Sequence, residues 1–155
     1  MAKKVDPTKL TNPKQVCGSS KLPLHLWPET ATIMGVIAML DGCLKYGRSN
    51  YRVAGVQASI YVDACKRHLN LWMEGEECAD DNGVPHLAHA LACIAIIIDA
   101  EAAGKLNDDR MVQGGYVELA RKLTPHVNRL KELYRDRSPK HYSIQDNPKP
   151  RKKKK

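Results

Sequence analysis

Phenylalanine is absent from these 155 residues, and aromatic side chains make up only 5% of them. The apolar content therefore rests on Ala, Leu, Ile and Val, which favours helices packed through aliphatic side chains over aromatic-rich sheets. No apolar run reaches the roughly eighteen residues of a membrane span, so no membrane partner is expected. The five cysteines (Cys17, Cys43, Cys65, Cys78 and Cys93) form no C-x-x-C pair. An odd count without a secretory apolar segment points to reduced thiols and a cytoplasmic protein. There is no Walker A loop, no dinucleotide-binding glycine pattern, no nucleophile elbow and no H-E-x-x-H, which removes the common motif-borne chemistries. No internal repeat is present.

What is there is charge, unevenly spread. The net +8 is concentrated at the ends, with Lys149, Arg151 and Lys152 to Lys155 at one and Lys3, Lys4, Lys9 and Lys14 at the other. This suggests three parts: a flexible basic arm over 1–20, a helical domain over 21–135, and a polar, lysine-rich tail over 136–155. Contact with nucleic acid is expected only through the basic tail, which reads more readily as a disordered solubilising segment.

The informative stretch runs from Asp63 to Asp99. Glu74, Glu76, Glu77, Asp80 and Asp81 fall close together, and charges so placed repel unless solvated or bridged by a cation. Apolar periodicity predicts a helix from Pro28 to about Lys45, halted at Gly47, with a stripe of Ile33, Val36, Ile37, Leu40 and Leu44. A second is predicted over about Val56–Glu76, with Tyr61, Cys65, His68, Trp72 and Glu76 on one face. A third, over about Val84–Ala103, is apolar nearly all round and belongs at the centre of a bundle. Its polar residues stand out: His86 and His89 near its start, and Asp99, which needs a cation or donor. A fourth helix is expected over Gln113–Leu123, restarting at Thr124-Pro125 and running to Tyr134. The expected fold is an all-α, compact bundle of four to five helices.

The loop L-K-Y-G-R-S-N-Y-R has the chemistry for an anion bearing a ring. Lys45, Arg48 and Arg52 suit phosphates, tyrosines such as Tyr46 can stack, and Asn50 can read a base edge or cap the next segment. Carboxylates from adjacent helices would make an oxygen-lined pocket suited to Mg²⁺ or Mn²⁺.

The runs K-Y-G-R-S-N-Y-R, A-C-K-R-H-L-N-L-W, G-E-E and N-G-V-P-H-L-A-H-A-L-A-C, in that order, resemble the phage and bacterial dATP/dGTP diphosphohydrolase (MazZ-like) family. That family is related to the all-α MazG-like nucleotide pyrophosphohydrolases. The resemblance spans about residues 20 to 112. It implies a helical, usually oligomeric core and Mg²⁺-dependent cleavage of a purine deoxynucleoside triphosphate to monophosphate and pyrophosphate, in the cytoplasm of a bacterial host for a phage protein. On that reading Glu76, Glu77 and Asp80 hold the metal, with Glu77, His68 and His86 as catalytic residues. Lys45, Tyr46, Asn50, Arg52, Arg67 and His89 contact the nucleotide. Two alternatives stay open: an inactive relative that sequesters a nucleotide or nucleotide-derived immune signal, and a basic-tailed structural or nucleic-acid-associated protein whose acid cluster is a solvated helix end.

Overall fold

The computed structural model describes Asn12, Lys14, Gly18 and residues 20–147. The lysine run near the C-terminus and most of the basic arm expected over 1–20 lie outside the described residues. The described residues form a mostly helical fold with one minimal sheet. None of their helices is long and apolar enough to cross a membrane.

Helix α1, Glu29–Tyr46, follows Pro28 and carries Glu29 in its first turn, where a carboxylate faces the positive end of the dipole. It stops at Gly47, whose φ of 90° suits a residue without a Cβ. The segment read as a loop from sequence contains a short helix, α2, Asn50–Ala54, entered through Ser49 in the left-handed region. Strand β1, Val56–Gln57, then leads into α3, Ala58–Met73. Helix α4 spans His86–Ala102, strand β2 Leu106–Asn107, and helix α5 Tyr116–Leu133. β1 and β2 pair in parallel, Val56 opposite Leu106. Gly55 makes this approach possible: its φ is 81°, and a Cβ there would lie 2.9 Å from the Lys105 carbonyl oxygen.

Helix α4 lies between α1 and α3. It approaches both closely because small side chains face its neighbours: Ala88, Ala90, Ala92 and Ala100 are buried, with Ala38 of α1 and Val84 in the same core. Its central placement matches the expectation from its apolar surface. Ile94 and Ile98 nevertheless remain 46% and 61% exposed, on the side that neither neighbour covers.

Two interactions lock the far end of this layer. Arg52 of α2 grips Asp99 of α4 through two hydrogen bonds of 2.6 and 2.7 Å, supplying the cation Asp99 requires. Asp109 accepts hydrogen bonds from the Ser59 backbone N–H and hydroxyl and from the Gln57 amide, capping the start of α3.

Two helix limits differ from the sequence reading. α3 ends at Met73, because Gly75 with φ 95° turns the chain, so the acids after Glu74 sit in a loop and not on a helix face. A side chain at Gly75 would also meet Ile144, which folds back onto this turn. α5 does not restart at Thr124-Pro125 but runs through Pro125 as one helix, with the Thr124 hydroxyl donating to the Ala120 carbonyl instead of capping a new segment. The apolar register from Leu123 to Val127 continues across the proline, which favours continuity over a break.

The three donors hold the Asp109 carboxyl down at a pKa of about 2. An unfolded aspartate titrates near ~3.9, so the unfolded chain binds the proton more readily between the two values. Asp109 therefore stabilises the fold above about pH 4 and loses that contribution as pH falls toward about 2. Replacing Asp109 by Asn should lower the melting temperature at about pH 6, and the gap to wild type should narrow as pH approaches about 2 in thermal melts.

Candidate functional site

A cleft of about 700 Å³ opens between the second half of α1, α2, the first half of α3, α4 and the loop after α3. That volume lies within the range of small-molecule sites. Lys45, Arg48, Tyr46, Asn50 and Tyr51 line one side, reached because α1 ends at Gly47 and the chain doubles back into α2. Tyr61 and His68 come from α3, His89 and Cys93 from α4, and Asp81 and Asn82 from the loop.

The loop is held by its own backbone. Ala79 N–H donates to Val84 O, Gly83 N–H to Ala79 O, and His86 N–H to Glu77 O, while the Asn82 side chain accepts from Val84 N–H. This compact turn brings Asp81 toward α1. The Lys45 ammonium lies 2.9 Å from an Asp41 carboxylate oxygen and 3.7 Å from one of Asp81. Its hydrogen bond to Asp41 raises the lysine pKa and keeps it charged.

Behind this wall lies a chain of titratable groups. His86 is 1% exposed and uses both ring nitrogens: Nε2 lies 2.9 Å from Glu76 Oε1, and Nδ1 lies 2.9 Å from His68 Nδ1. An ionised Glu76 only accepts, so His86 Nε2 carries a proton toward it. With His86 neutral, its Nδ1 accepts from His68 Nδ1–H. That tautomer leaves His68 Nε2 with a free lone pair, on a side chain that lines the cleft. His68 also stacks on His89, ring centroids 4.6 Å apart, and the Asn82 amide lies 3.4 Å from His89 Nε2. Burial is the first cause that lowers the pKa of both His68 and His89; His89, His86 and Arg67 add to it at His68, whereas at His89 the Asp41 carboxylate partly opposes it.

Residues 11–110 match the family model described as dATP/dGTP diphosphohydrolase, N-terminal. The chain belongs to this family. No curated protein and no solved structure shows a significant match to it.

In this dATP/dGTP diphosphohydrolase family chain, the matched segment contains α1 to α4 and hence the whole cleft. Of the residues singled out from sequence, Lys45, Tyr46, Asn50, His68 and His89 meet in the cleft. His86 stands behind His68, and Glu76 is engaged by His86. Arg52 is held by Asp99 and does not line the cleft. Arg67 is exposed, close enough for its charge to lower the basicity of His68. Glu77 and Asp80 are exposed and outside the lining, and among the described residues no three His, Cys, Asp or Glu side chains converge as a metal-binding group. Sequence reasoning passed over Asp41 and Asn82; it placed Tyr61 on the face of His68 without giving it a role in the site. Asp41 carried a signal, since it sits four residues before Lys45 in an otherwise apolar helix.

Since burial depresses both imidazoles, the stability they contribute is present above their unfolded pKa of ~6.5 and is lost as pH falls through their folded values. The ring resonances of His68 and His89 should titrate below ~6.5 by NMR. His89→Gln should lose less melting temperature than wild type between about pH 7 and about pH 5.

Proposed function

We propose that the cleft hydrolyses purine deoxynucleoside triphosphates to the monophosphate and pyrophosphate. The supporting observation is that one cleft, inside the family-matched segment, gathers Lys45 and Arg48 for phosphates, the carboxylates of Asp41 and Asp81, and the oriented imidazole of His68. Lys45 and Arg48 bind phosphate oxygens, Tyr46 and Tyr51 pack on the base, and Asn50 reads a base edge.

A Mg²⁺ or Mn²⁺ ion belongs to this reading. The Lys45 ammonium already lies within 4 Å of both Asp41 and Asp81, so this corner is arranged for positive charge. Two hard carboxylates together with substrate phosphates are what such a cation takes. The residues fit, and Asp41 and Asp81 would hold it in preference to Glu76, which is committed to His86. When bound, the ion supplies neutralisation of the phosphate charge and polarisation of a phosphoryl oxygen.

His68 Nε2 accepts a proton from water as the water oxygen bonds to the α-phosphorus. The bond from that phosphorus to the bridging oxygen breaks, and pyrophosphate leaves with the electron pair. Glu76 and His86 act one step removed, holding His68 in the tautomer with its lone pair free.

A panel of nucleotides with Mg²⁺, scored for both pyrophosphate release and retention of intact ligand, tests the reading. Wild type should release pyrophosphate from dATP or dGTP. His68→Asn should lower kcat by about 10²–10⁴-fold, the usual share of a general base. Lys45→Ala should act mainly on KM, by about tenfold or more for a lost contact to a charged oxygen. Retention of intact nucleotide without release would select sequestration in the same cleft, and the absence of both release and retention would overturn both readings.

A further inference from the structure

Beyond α5 the chain has left the family-matched residues 11–110, yet it returns to them at Gly75. Helix α3 ends there in two backbone hydrogen bonds: Gly75 N–H donates to Trp72 O and Glu76 N–H to Leu71 O, each 3.0 Å. In this glycine-centred helix end, the residue after the glycine often lays an apolar side chain back on the last turn. Here that residue is Glu76, and its carboxylate is committed to His86. Ile144 supplies the apolar cover instead, from the far end of the described chain. A Cβ at Gly75 would lie 2.5 Å from Ile144 Cδ1, so the seat requires glycine.

The turn that presents Ile144 is braced. Ser143 and Asp146 form a reciprocal capping box around the single 3-10 turn Ile144–Asp146. One Asp146 oxygen accepts from the Ser143 backbone N–H and the other from the Lys140 ammonium, both at 2.9 Å. A turn closed on itself in this way points Ile144 in one direction.

We propose that this C-terminal turn is a clasp for the loop after α3, and that Ile144 is a positioning residue for His68. Ile144 sits against Gly75, the residue before Glu76. Glu76 sets the proton on His86 Nε2, and His86 Nδ1 in turn accepts from His68 Nδ1–H. If Glu76 drifts, His86 is released and His68 becomes free to carry its proton on Nε2. A role in supporting the fold alone fits less well, because Ile144 is 55% exposed and encloses little. The effect on turnover rests on the cleft reaction proposed above; the effect on the imidazoles stands without it.

Ring-nitrogen NMR of the full chain at about pH 8, where the imidazoles are neutral, tests the clasp. In wild type, His68 should hold its proton on Nδ1 and His86 on Nε2. Ile144→Ala, and Asp146→Ala through loss of the turn, should move a resolvable share of His68 to the Nε2–H form. Ile144→Leu should restore the wild-type signals, and Gln145→Ala, which keeps its backbone N–H, should match them. With dATP or dGTP, Ile144→Ala should lower kcat about tenfold or more and leave KM within about twofold, as a misplaced group does. A wild type with the His68 proton on Nε2, or Ile144→Ala ring signals that coincide with wild type, would overturn the clasp, whatever the melting temperature does. So would an equal shift in Gln145→Ala. Shifted ring signals in Ile144→Ala with no turnover even by wild type would uphold the clasp and overturn the reaction.

Discussion

A buried imidazole hydrogen-bonded at both nitrogens underlies the site. His86 begins α4, is almost wholly buried, and has Glu76 on one side and His68 on the other. A polar ring in that position is tolerated only if both nitrogens find partners. That requirement ties three pieces of chain together: α3 must present His68 at this depth, the loop must return Glu76, and α4 must start where it does. The hydrogen bond from His86 N–H to Glu77 O fixes the same junction through the backbone. Once the loop is anchored there, Asp81 and Asn82 extend over the cleft, and His68 is left with one usable nitrogen.

The packing that permits this is thin. α4 meets its neighbours through alanines, so the helices come close but few large side chains are enclosed. Close approach of α1 and α3 to α4 sets the width of the cleft, with Tyr61, His89 and Cys93 on its walls. Burial raises the pKa of Tyr61 and pushes that of Cys93 up to about 11, so neither offers an anionic nucleophile at neutral pH. The proposed chemistry therefore rests on His68, Lys45 and the carboxylates. The aliphatic stripe of α1 faces outward, and α5 repeats the same arrangement beyond the matched segment. The fold thus gathers its polar cleft groups between close-packed helices and leaves much of its apolar surface exposed.

The hydrophobic repeat determined the helices. The apolar spacing of α1, the wholly apolar run of α4 and the break at Gly47 were legible because a 3.6-residue period and a positive-φ glycine are local properties of the chain. The need of Asp99 for a cation, and the gathering of Lys45, Tyr46 and Asn50 at one turn, followed from residue chemistry alone. Which cation meets Asp99, and which acids face the cleft, did not. Arg52 reaches Asp99 from a helix separated by the whole of α3, and Asp41 became a cleft residue because the loop returned Asp81 to it. The acid cluster drew attention by its density, but Glu76 turned to His86 while Glu77 and Asp80 stayed on the surface. Periodicity records which face of a helix is apolar. Only tertiary packing decides which polar groups meet across helices, because that depends on where the chain turns and on which buried group must be satisfied first.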